Sequence, residues 1–187
     1  MHKLQQRLEV YWRLELFNAV LLPVVAILVL AVNDQTIGPL GISCLVPMSA
    51  LLIAGGCYWR AKVRQISRDR SNIDSTLYWL DRIRLPLLAS LIAVSFLCIA
   101  DLLFLRFSVS TGDRWIAILA TTLAILEYIN YYHRQLQHFD HVPDFLRLLS
   151  GRGFRKSQLR ADLERCAIKR LNRGNNRFKR SRGPGGL

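Results

Sequence analysis

The sequence predicts an all-α integral membrane protein, a four-helix bundle of two transmembrane hairpins with both termini in the cytoplasm. Three observations predict it. Long uncharged runs alternate with arginine-rich stretches, so apolar and charged residues are segregated along the chain. Four of the runs approach the ~20 residues that a helix rising about 1.5 Å per residue needs to cross a ~30 Å hydrocarbon layer. Finally, the 26 Lys and Arg fall almost entirely on one side of the topology those runs define.

Composition narrows the alternatives. The chain has 187 residues, 51% of them hydrophobic, and a formal charge of +13. A soluble domain this basic ordinarily binds nucleic acid and distributes its charges over amphipathic elements. Segregated charges and scarce stacking aromatics argue against nucleic acid as a partner here. A soluble bundle of buried helices would need a polar stripe on every run, and the first two runs have none.

Residues 1–13 form a basic segment in which Leu4, Leu8, Tyr11 and Trp12 share one helical face. It reads as a short cytoplasmic interfacial helix or as an extension of the first span, 14–32. That span is longer than the apolar core of a leader peptide and is followed by no small-x-small cleavage site, so it reads as a helix that stays. A turn at 33–39 leads to the second span, 40–59. In the loop 60–84, Ile73, Leu77 and Leu80 mark a second amphipathic interfacial helix. The third span covers 85–105 and the fourth 115–132, joined by a turn at 106–114, with the fourth expected to run on to about Phe139.

Beyond it, 140–172 reads as a helical cytoplasmic region. Pro143 opens a short helix through Leu149, and Gly151 and Gly153 break it. Ser157 can cap a further helix ending near Asn172, with Leu159, Leu163, Cys166, Ala167 and Leu171 along one face. The basic tail 173–187 is expected to be disordered.

Orientation follows from the charges. Three Lys or Arg precede the first span, seven lie in the 60–84 loop, fourteen follow Tyr132, and only Arg106 and Arg114 edge the other side. A ratio of 24 to 2 places both termini and the middle loop in the cytoplasm. Tyr11-Trp12, Tyr58-Trp59 and Tyr78-Trp79 lie beside arginines at that boundary, where amphipathic rings favour the headgroup layer. Within the collar, Arg60, Lys62, Arg64, Arg155, Lys156 and Arg160 are the expected contacts to anionic phospholipid headgroups.

Inside the spans, Ser43, Pro47, Ala50, Ala54 and Cys57 recur at spacings of four and three, a packing seam along the second helix. Ala117, Ala120 and Ala124 form another on the fourth, which continues to Glu127, Tyr131 and Arg134. An acidic residue within a span is costly, so Glu127 needs a partner or a purpose. Asn18, at similar depth on the first helix, is the expected donor, with Asn130 and Tyr131 completing an intramembrane polar site where helices one and four meet. Asp101, near the other boundary, is expected to pair with Arg114. Pro23 and Pro47 interrupt the first two helices, a feature of ligand-lining and static bundles alike.

Chemistry is not spelled out. The histidines at 133, 138 and 141 lack the i, i+4 spacing of a metal-binding helix, so no metal or cofactor is expected. The four cysteines contain no Cys-x-x-Cys and read as small apolar residues or surface thiols. The expectation is a small bacterial inner-membrane protein of accessory, scaffold or regulatory type. It would act through its basic cytoplasmic surface on anionic lipid or a membrane-protein partner. The alternative is a homo-oligomeric transporter or channel using Glu127, and a third reading is a membrane-embedded lipid-modifying enzyme.

Overall fold

The computed structural model describes residues 2–67, 71–104, 107–134 and 156–168. The described residues form five helices and no strand: α1 (His2–Val32), α2 (Pro39–Ile66), α3 (Ser71–Phe104), α4 (Thr111–Tyr132) and α5 (158–168). The first four are long and apolar enough to cross a membrane. They run up and down, so one end of the bundle carries the arginine-rich segments and the other the two connecting turns. These are called the basic end and the turn end.

α2 is the hub and packs against α1, α3 and α4, whereas α1 and α4 barely meet. The most apolar stretch of α2 is accordingly 61% buried, against 11% for α1. Leu40, Cys44, Leu51, Ala54 and Tyr58 of α2 meet Ala117, Ala120 and Ala124 of α4 and Leu87, Leu91 and Cys98 of α3 in one core. Phe17, Val20, Val24 and Leu28 of α1 point outward, as does Phe96 of α3. Outward apolar side chains are the expected surface of a helix solvated by lipid.

Several elements differ from the sequence expectation. The amphipathic segment at 73–80 is not a separate interfacial helix but the continuous start of α3, and of the two readings of 4–12 the structure has the one in which it extends the first span. Neither stretch contains a Gly or Pro to break it, and Pro86, within α3, is tolerated inside the helix. Burial also corrects the α2 seam. Pro47 and Ala54 are buried, Ala50 and Cys57 only partly, and Ser43 is exposed, its hydroxyl donating to the Pro39 carbonyl at 2.7 Å. A helix surrounded on three sides buries a broad face rather than a narrow stripe.

α4 stops at Tyr132 instead of running on to 139. His133 leaves the helical region, and Arg134 pairs as an isolated antiparallel bridge with Lys156. The Ser157 hydroxyl donates to the Tyr131 carbonyl, satisfying one of the acceptors that a helix C-terminus leaves open. The expected helix at 143–149 and the basic tail lie outside the described residues.

The first turn is a Schellman motif. Gln35 N–H donates to the Leu30 carbonyl at 2.9 Å and Asp34 N–H to Ala31 at 3.2 Å, with Asp34 at φ 53° in the left-handed position that glycine usually occupies.

Candidate functional site

Polar residues gather at the two ends of the bundle. At the turn end, Ser110 accepts from Asp113 N–H at 3.0 Å and caps α4, as the pattern Ser110-x-x-Asp113 allows. Asp113 then reaches across to α2, whose own N-cap, Gly38, has no side chain. Its Oδ1 accepts from Gly38 N–H at 2.8 Å and Gly41 N–H at 3.0 Å, and its Oδ2 from Val109 N–H at 3.2 Å. One fully buried carboxylate therefore caps a helix other than its own, at the end where the helix dipole favours negative charge. A Cβ at Gly38 or Gly41 would collide with this carboxylate, so both positions require glycine.

Asp101 works beside it. Its side chain is fully buried, Oδ1 accepts from Phe107 and Ser108 N–H, both at 2.8 Å, and Arg114 Nε donates to Oδ2 at 2.8 Å. Gln35 Oε1 accepts from Gly112 N–H at 2.7 Å and joins the two turns directly. This end is a structural clasp. Asp113 was not singled out from sequence; Ser110-x-x-Asp113 signals the start of α4, but nothing in it points to α2.

At the basic end, Tyr131 is buried in α4 and its hydroxyl donates to Glu15 Oε1 of α1 at 2.6 Å. Glu127, one turn back on α4, faces the same phenol and accepts a longer bond from Asn130 at 3.4 Å. Tyr131 thus lies between two carboxylates, and neither has a basic partner among the described residues. The approach is allowed by Gly55 of α2, where a Cβ would overlap the phenol. Helices one and four do meet here, but the partner on α1 is Glu15. Asn18, one turn further along α1, is half-buried and makes no hydrogen bond to Glu127 among the described residues. Arg134, expected to lean back toward Glu127, is exposed in the bridge to Lys156.

α5 locks onto the same end. Ser157 caps it, accepting from Arg160 N–H at 3.2 Å. Leu159 and Cys166 are buried against the core, whereas Ala167 is exposed. Asp162 accepts from Tyr58 at 2.9 Å and from Lys62 at 2.6 Å, tying α5 to α2. A small cavity of about 30 Å³ between Tyr58, Asn130, Tyr131 and Ser157 has room for a water.

The expected lipid-contact cations divide. Lys62 is committed to Asp162, while Lys156 and Arg160 both reach Glu164, at 3.4 and 3.0 Å on the exposed surface. Arg60 stacks over the Trp12 ring at 5.4 Å, and Arg64 is exposed. Arg155 lies outside the described residues, as do His138, Asp140 and His141. Tyr11 and Trp59 pack with ring centroids 6.2 Å apart, so two of the three aromatic pairs that marked this boundary in sequence meet in space.

Two of the four cysteines are neighbours. Cys44 and Cys98 Sγ lie 3.6 Å apart in the core, with Thr121 Oγ1 3.4 Å from Cys98, and no disulfide joins them.

Fold and hydropathy together define an all-helical, multi-pass membrane protein. Compared with protein-family models, curated proteins and solved structures, the chain matches none. Its function has to be argued from its own residues.

Proposed function

We propose that the protein is a non-catalytic accessory or scaffold component of a bacterial inner membrane. Both termini are cytoplasmic, and it acts through the basic end on anionic headgroups and a membrane-protein partner. The observation that carries this reading is the docking of α5. Asp162 ties it to Tyr58 and Lys62, and Ser157 ties it to the end of α4, so the helix is held as part of the bundle. Arg64 and Arg165 are left outward-facing on this platform. Lysines and arginines so placed attract an anionic surface with about 1 kcal/mol each. The 24-to-2 distribution of cations supports the orientation.

Native mass spectrometry after gentle extraction from the source membrane tests the reading. A heteromeric complex that Asp162→Ala disperses, with the four spans still folded, is the expected result. A homo-oligomer carrying only lipid, unchanged by Asp162→Ala, would overturn it. An impermeant maleimide checks orientation, since a cysteine introduced at Asn33 should label from outside the cell and one at Arg64 should not.

A second reading is favoured by one observation, the pair of carboxylates around Tyr131. Glu15 and Glu127 would serve a proton or cation at the inner mouth of an oligomeric transporter. Loss of proton-coupled flux in Glu127→Gln at normal assembly would select it. Loss of assembly would make the cluster a packing clamp.

A further inference from the structure

The α3–α4 interface is looser than those α2 makes with its three neighbours, and it opens into a groove of about 530 Å³. That volume lies within the ~300–1,000 Å³ of small-molecule sites. Leu88, Ile92, Ser95 and Ile99 line it on α3, and Ile125 and Ile129 on α4. From Leu88 to Ile99 is about 16 Å along a helix axis, half of a ~30 Å hydrocarbon layer, so the groove runs the depth of one leaflet.

Its two ends differ in character. Toward mid-bundle the walls are apolar apart from Ser95. At the basic end it terminates on His133, which is half-buried against the Tyr128 ring with centroids 5.7 Å apart. Burial, then the nearby Arg84 and Arg160, hold the His133 imidazole below its usual range, Arg160 being itself paired with Glu164 at 3.0 Å. Arg84 is placed over the Tyr132 ring at 5.9 Å. Tyr128, itself lining the groove and only 4% exposed, has a hydroxyl with no hydrogen-bond partner among the described residues. A second apolar groove, between α1, α2 and α4, is lined by Leu22, Met48 and Leu119 and by no charged or polar group among the described residues.

We propose that the α3–α4 groove holds one anionic phospholipid, its acyl chain along Leu88, Ile92 and Ile99 and its phosphate beside His133 and Arg84. The length fits one leaflet, Arg84 sits at the end where a headgroup lies, and a lipid oxygen at the Tyr128 hydroxyl would remove an unpaired buried donor. The inference rests on the reading of this end as the headgroup-facing basic surface. It adds a single defined site to what would otherwise be diffuse attraction.

The test is native mass spectrometry of the full chain in micelles doped with phosphatidylglycerol or with phosphatidylcholine of the same acyl chains. Wild type should retain one phosphatidylglycerol and little phosphatidylcholine. Arg84→Gln should weaken retention about fivefold, as expected for one cation at a membrane surface. Ser95→Phe, which places a ring in the groove, should abolish it. Tyr128→Phe keeps the ring and loses only the hydroxyl, so it should lower retention without lowering thermal stability. Equal retention of the two lipids, or retention unchanged in both Arg84→Gln and Ser95→Phe, would overturn the site. If Ser95→Phe fails to fold, Arg84→Gln and Tyr128→Phe decide. Arg64→Gln, remote from the groove, keeps the outcomes separate: weaker association with the partner but an intact single lipid means the two proposals stand independently, and a partner complex without a retained lipid removes only this one.

Discussion

Asp113→Ala is the most informative single change at the turn end. The fully buried carboxylate accepts from Gly38 and Gly41 N–H at 2.8 and 3.0 Å and more weakly from Val109 at 3.2 Å. Hydrogen bonds to a charged group contribute about 1.5–3 kcal/mol each, and buried donors left unpaired carry their full desolvation cost. Two strong bonds give roughly 3–6 kcal/mol, and water reaching the vacated site from the nearby turns should hold the loss to about 3–4 kcal/mol. Asp113→Asn keeps one acceptor oxygen and should lose about half as much. Ser110→Ala removes the cap of α4 and a 3.3 Å bond from its hydroxyl to the Thr36 carbonyl, together about 1–2 kcal/mol, and is the internal standard. Equilibrium unfolding in mixed micelles, followed by tryptophan fluorescence, measures all three. If Asp113→Ala costs no more than Ser110→Ala, then Asp113 does not cap α2 and the clasp argument is wrong.

Other changes test the remaining contacts. Asp34→Gly should stabilise by about 0.5 kcal/mol in the same assay, since relief at φ 53° exceeds the added freedom of the unfolded chain. Gly55→Ala should cost about 1–3 kcal/mol by driving a Cβ into the Tyr131 phenol, and more than Gly56→Ala, whose nearest neighbour is the flexible end of Leu16. Arg114→Gln should lose about 2–3 kcal/mol, less than the ~3–5 of a fully buried pair because the Arg114 side chain is 25% exposed, with Asp101→Asn in the same chain restoring part of it. Because His133 is held below its usual 6.5, the unfolded chain binds that proton more readily, so stability should fall as pH drops through about 6.5. A pH titration of unfolding should show a shallower slope for His133→Gln.

The number and placement of the long helices were legible in the sequence. A span in hydrocarbon must satisfy its backbone internally and present apolar side chains, whatever its neighbours are, so composition and length suffice. Arg114 opposite Asp101 was legible too, because the two flank one short turn. So was Ser157 as a cap, a signal confined to a few residues.

What a residue meets on another helix was decided only by the tertiary structure. Glu127 was singled out, but its shared phenol brings in Glu15 rather than Asn18, one helical turn away on α1. A slide of α1 by about 4.5 Å along its axis, with a rotation of about 60°, would exchange them, and nothing in the spacing along α1 fixes that register. The broad buried face of α2 has the same origin, since small residues mark where backbones can approach but not how many neighbours will. Asp113 capping α2, Cys44 beside Cys98, and Lys62 held by Asp162 are meetings of residues 54–100 positions apart. The sequence by itself determined which segments are long and apolar enough to enter a membrane, because that depends on each segment's own free energy of transfer. Pairwise packing decided which polar groups those segments bring together, and hence every candidate site.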